Sequence, residues 1–208
     1  MKKTKEIILE NSLELFNSLG LSNVTLRTIA NKMEISQGNL NYHFKKREDI
    51  IEALYFKLVK SIDNSMSSMQ EFKNPFKSLV SISQTMMNNF YEYRFFLLDF
   101  VQIMRENKKI KIHYSKLITE REQQFSMLFN LLIENDLIRE EILPNEYKNL
   151  YKRLQLLSDF WIADAEIFHS KLTKKSISTY SVVLMQSIFP YLTLKGQNEY
   201  KLIVSDEL

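Results

Sequence analysis

A chain of 208 residues, 45% hydrophobic, 12% aromatic and 25% charged, carries enough apolar surface to offset the entropy of folding, and it suits one large core or a small module joined to a larger one. The absence of cysteine excludes disulfides, thiolate metal sites and a cysteine nucleophile, and a cytoplasmic, reducing setting is expected. No segment approaches the roughly 18 uninterrupted apolar residues of a membrane span, so no membrane partner is expected.

Apolar residues recur at helical spacing almost throughout, with no convincing alternating run, so the fold expected is all-α. Ile7, Ile8, Ser12, Leu15, Phe16 and Leu19 make one stripe of a first helix, which Gly20 ends. Thr25 and Ser36 are good N-caps for two short helices, the first anchored by Leu26, Ile29, Ala30 and Met33 and the second by Leu40 and Phe44. A longer helix follows Glu48, with Ile50, Leu54, Leu58, Ile62, Met66 and Met69 at spacings of four or three, and Asn74-Pro75 ends it. Further helices are expected at roughly 75–91, 93–107, 109–135, 145–170 and 174–194, broken at Leu143-Pro144-Asn145 and at Thr173. This gives a DNA-binding module over 1–47, a connecting helix over about 47–70, and a larger helical domain over 48–208.

Two short helices joined by a tight turn describe a helix-turn-helix, whose second helix enters the major groove of double-stranded DNA. On that helix Gln37 and Asn39 carry amides suited to base edges, while Tyr42 and His43 can reach bases or phosphates. Gly38 has no side chain to hold the backbone off the duplex. Thr25, Ser36, Arg27, Lys46 and Arg47 suit phosphate oxygens, and Asn41 can donate to one. Charge agrees: eight basic residues against four acidic in the first 47 give a local excess of four, more than the +3 of the whole chain. The plain alternative, a solvated polar helix face, does not explain why cap, turn, cap and basic flank arrive together.

The order "LFNSLGLSNVTLRTIANKMEISQGNLNYHFKKREDII" resembles the N-terminal domain of TetR/AcrR-family transcriptional regulators over about residues 5–55. Its carriers are Leu15-Phe16, Gly20, Thr25, Ile29-Ala30, Ile35-Ser36, Gly38, Leu40 and His43-Phe44. The resemblance implies a homodimer on a palindromic operator, a three-helix reading module, and a larger helical domain whose small-molecule effector controls DNA affinity. It places Thr25, Arg27, Gln37, Asn39, Tyr42, His43 and Arg47 where family members commonly touch DNA. Two positions depart: the family usually has Tyr where this chain has Asn41, and often a capping Asn or Ser where it has Lys46.

Beyond residue 70 the residues must speak for themselves. Phe90, Tyr93, Phe96, Phe100 and Met104 give an aromatic density suited to an apolar or aromatic effector, with Asp99, Arg94 and Gln102 as polar anchors and Trp161 further along; an ordinary aromatic core is the alternative. Leu150, Leu154, Leu157, Trp161, Ala165 and Phe168 form one apolar stripe, and Leu156, Phe160, Ala163 and Ile167 a second. Two apolar faces need two partners: one is the helix carrying Ile177, Tyr180, Leu184 and Ile188, and the other is either a second subunit or more of the same chain. The interface expected on this basis comprises Leu154, Leu157, Trp161, Tyr180, Leu184 and Ile188.

Catalysis finds no named residue. Glu166-x-x-His169 has one half of a carboxylate-bridged di-iron spacing, but His43 and His113 lack the matching Glu. No phosphate loop, zinc motif or nucleophile elbow is present, and no cofactor is expected. A ligand-responsive DNA-binding regulator, released from its operator by an effector, is the reading favoured. An all-α partner- or ligand-binding protein, its helix-turn-helix retained as scaffold, is the alternative.

Overall fold

The computed structural model describes residues 4–69, 74–168 and 172–207, so His169 of the Glu166-His169 pair lies outside the described residues. Regular structure among them is helical: α1 Thr4–Leu19, α2 Leu26–Lys32, α3 Gln37–His43, α4 Arg47–Met69, α5 Pro75–Glu92, α6 Arg94–Leu98, α7 Phe100–Glu106, α8 Lys108–Glu134, α9 Glu146–Phe168, α10 Lys174–Gln186 and α11 Leu194–Glu207, with 3-10 turns at Leu21–Asn23 and Phe189–Tyr191. None of these helices is long and apolar enough to cross a membrane.

Three expectations are corrected. The stretch 93–107 is two short helices meeting at Asp99, whose φ of −102° and ψ of 20° leave the helical range; Leu98 and Val101 on it are exposed. The helix expected to run to 194 stops at Gln186 and gives way to a 3-10 turn containing Pro190, which has no N–H to continue the ladder. Beyond it α11 was not foreseen, because its first turn contains Gly196. A Cβ at Gly196 would lie 1.9 Å from the carbonyl oxygen of Leu137, so only glycine lets α11 approach that loop. Thr193 starts α11 by accepting the Gly196 N–H at 3.0 Å and donates its own N–H to the same Leu137 carbonyl at 3.1 Å.

The chain divides into two compact units. The first takes residues up to Ser61 together with Glu92–His113, so residues 48–61 and 92–113, assigned above to the effector domain, fold with the N-terminal helices. Its core includes Ile8, Phe16, Leu21, Ile29, Leu40, Phe44, Leu54 and Tyr55, joined by Phe95, Phe96 and Leu97. Phe95 stacks on Phe16 with centroids 5.0 Å apart, and Phe96 on Tyr55 at 5.2 Å. Asn17 seals the join, donating to the Glu92 carbonyl at 2.7 Å and accepting the Phe95 N–H at 3.0 Å. The second unit takes Ile62–Tyr91 and the chain from Tyr114 onward. Phe76, Val80, Phe129, Leu132, Ile138, Leu150, Met185 and Ile188 are among its core residues.

Candidate nucleic-acid interface

Local chemistry builds the reading module. The Thr28 N–H donates to Thr25 Oγ1 at 3.2 Å and the Thr25 N–H to Thr28 Oγ1 at 2.9 Å, a reciprocal capping box that starts α2. The chain then turns through Glu34, at a φ of 54°, a left-handed conformation that a side chain adopts at some cost. Ser36 caps α3 by accepting the Asn39 N–H at 3.1 Å. Gly20, expected to end α1 with positive φ, has a φ of 77° and donates to the Phe16 carbonyl at 3.0 Å.

Leu40 and Phe44 are buried and fix which way α3 faces. Gln37, Gly38, Asn39 and Tyr42 are exposed, Tyr42 to 80%, and the half-buried His43 stands edge-on to the Tyr42 ring at 5.2 Å. Gly38 is not demanded from inside: an added Cβ would meet nothing nearer than Ser36 Oγ at 3.8 Å. Thr25, Arg27, Ser36, Lys45 and Lys46 are also exposed. The structure thus leaves Gln37, Gly38, Asn39 and Tyr42 exposed on α3, with Lys45 and Lys46 just past its C-terminal end.

Two of the basic positions differ in their surroundings. Arg47 turns its guanidinium inward, donating from Nη1 to the carbonyls of Leu21 at 3.0 Å and Val24 at 3.5 Å and from Nε to Glu48 at 3.3 Å. Lys46 lacks a capping side chain, and Asp49 compensates by accepting the Lys46 N–H on Oδ2 at 3.1 Å. Asn41 is half-buried, and its Oδ1 is enclosed without a hydrogen-bond partner.

The expected effector residues are not all in one unit. Tyr93 and Phe96 are buried in the first unit, where Phe96 also meets Phe100 edge-on at 5.8 Å, and Met104 is half-buried there. Burial pushes the Tyr93 phenol up to about 12, with the Glu92 charge adding to the rise. Asp99 accepts the Leu21 N–H at 3.2 Å, a structural tie rather than an open anchor. Phe90 and Trp161 belong to the second unit. Sequence reasoning missed a buried acid there, Asp159, which shares a helix face with Tyr151 and Gln155 at spacings of four; that spacing among apolar neighbours was the available signal.

The expected interface residues are placed differently from the sequence reading. Trp161, Leu184 and Ile188 are buried within the single chain, Trp161 packing on the half-buried Tyr180 at 5.2 Å, and Leu154 and Leu157 are half-buried. The apolar side chains left exposed on α9 and α10 are Leu156, Phe160, Ile167, Phe168 and Val183.

Comparisons with known proteins converge. The model described as bacterial regulatory proteins of the tetR family matches residues 8–54, and the TetR model described as bacterial transcriptional repressor matches 57–200. A helix-turn-helix-type transcriptional regulator of Staphylococcus aureus is 21% identical over 136 residues, 65% of this chain and 70% of that protein. A TetR-family transcriptional regulator from Marinobacter aquaeolei has the same fold, with a TM-score of 0.86 over 99% of this chain and 98% of its own at 22% identity. A ketosteroid transcriptional regulator of Mycobacterium tuberculosis reaches 0.74 over 93% and 97% at 13% identity.

Proposed function

Because the chain belongs to the TetR family, and is thus a DNA-binding transcriptional regulator of a class that dimerises and responds to ligands, we propose that it is a repressor, released from a palindromic operator when a small-molecule effector binds. The observation that carries the reading is the outer face of α3: Gln37, Asn39 and an 80%-exposed Tyr42 surround a glycine that the fold does not need. Gln37 and Asn39 read base edges, Tyr42 and His43 contact bases or phosphates, and Thr25, Arg27, Ser36 and Lys46 hold the backbone. Arg47 acts from behind, by fixing the turn before α2. Two copies join through the exposed stripe of Leu156, Phe160 and Val183, and two-fold symmetry then requires two related half-sites.

The test is retardation of DNA from beside the protein's own coding region across a salt series. Asn39→Ala or Tyr42→Ala should cost about 1–3 kcal/mol on that fragment and little on random DNA. Equal affinity for both DNAs, untouched by either change, favours the scaffold-only alternative and ends the repressor reading.

A further inference from the structure

Two acids in the second unit are buried to similar degrees and are treated in opposite ways. Glu146, 8% exposed, is gripped by both terminal nitrogens of Arg139, at 2.7 and 2.8 Å. Asp159, 7% exposed, forms no ion pair among the described residues. Its Oδ2 accepts from the Tyr114 hydroxyl at 2.7 Å and from Gln155 Nε2 at 3.2 Å, while Oδ1 has no donor among the described residues. Burial raises its pKa, against the smaller lowering by Tyr114, Gln155 and Lys152.

Neutral donors on one oxygen fix the direction of a carboxylate without supplying an opposite charge. Other acids of the chain meet cations, as in Asp63 with Arg121 and Glu52 with Lys109. Asp159 is therefore a mostly buried negative group, held through one oxygen while the other meets no donor of the described residues. Tyrosines stand beside it: Tyr114 as donor, and Tyr151 close enough for the Asp159 charge to help burial hold its phenol at about 12. A carboxylate with tyrosines in its neighbourhood suits an organic cation, which the carboxylate pairs by charge and aromatic rings attract.

We propose that Asp159 is the counter-charge for a cationic effector, a lipophilic amine or quaternary ammonium, held on α9 against α8 with Tyr114, Tyr151 and Gln155 around it. The proposal rests on the reading of the chain as a ligand-responsive regulator, and it replaces an apolar or aromatic effector with an aromatic-compatible cation.

The full-length protein is titrated with benzyltrimethylammonium and with the larger tetraphenylphosphonium. The controls are the neutral isostere neopentylbenzene and the size-matched anion tetraphenylborate. At least one cation should raise the melting temperature of the wild type more than its control does, and Asp159→Asn should weaken that cation about tenfold or more. The cation-against-control comparison uses the wild type and needs no variant to fold; Asp159→Leu combined with Tyr114→Phe, which removes both ends of the 2.7 Å hydrogen bond, serves if Asp159→Asn unfolds. Controls that bind as well as the cations, variants that bind them undiminished, or a wild type indifferent to both cations each overturn the proposal. A wild type that retains specific DNA yet ignores both cations sinks the charge assignment alone. One that binds the cations through Asp159 but no specific DNA sinks the regulator reading alone.

Discussion

Arg47 and Lys46 are neighbours of the same charge whose surroundings assign them different tasks. Lys46 is exposed, whereas Arg47 hydrogen-bonds the Leu21 and Val24 carbonyls and so joins the turn before α2 to the start of α4. Arg47→Ala should therefore destabilise the protein by about 1–3 kcal/mol in urea unfolding, while leaving the salt dependence of DNA binding near its wild-type slope. Lys46→Ala should do the reverse, lowering that slope by about 1 with little effect on unfolding. Glu146 is a second residue with a measurable signature. Hydrogen bonds from Arg139, and next from the Ile142 N–H, hold its carboxyl down to about 2, against about 4.3 in an unfolded chain. A depressed folded pKa contributes stability that is fully present above the unfolded value and is lost as pH falls through about 4 toward 2. Glu146→Gln should therefore lower the melting temperature at pH 7 and flatten its decline between pH 5 and 2; parallel wild-type and mutant profiles would contradict this.

Helices whose causes are local could be read in advance, and helices whose causes are distant could not. Thr25, Ser36 and Gly20 act within four residues of themselves, so α1, α2 and α3 and the outward set on α3 were legible from spacing and caps. α11 was not, because the reason for Gly196 is the Leu137 carbonyl, remote in sequence. Gly196→Ala, ordinarily favourable in a helix, should here cost about 1–3 kcal/mol by forcing α11 off that loop; a melting temperature equal to or above the wild type would refute the close approach. The roles within α9 were also hidden. Periodicity finds two apolar stripes but cannot say which is covered by the chain's own α10, and the structure covers the one with Trp161. Asp159 escaped notice for a related reason: a single acid among apolar residues reads as exposed until its neighbours are known.

At the scale of the molecule, assembly and reading are linked. If Leu156, Phe160 and Val183 bury against a second copy, Leu156→Glu with Phe160→Glu places charges in that seam. Sedimentation should then find monomers, and the two-site operator should be lost before half-site binding is. A dimer of unchanged strength would move the interface elsewhere. The first compact unit carries a different implication, for inheritance. Its helix α1 stacks Phe16 on Phe95 and is pinned by Asn17 to the Glu92–Phe95 backbone, while Asp99 holds Leu21 and Phe96 stacks on Tyr55 of α4. A reading head exchanged between relatives by a crossover just past α3 would arrive without Phe95, on which its Phe16 stacks, and without the Glu92 and Phe95 backbone groups that Asn17 bonds. Successful shuffling must therefore carry two separated coding segments together, and new operator preferences in such a lineage should arise by point changes along α3 more readily than by transplanted heads.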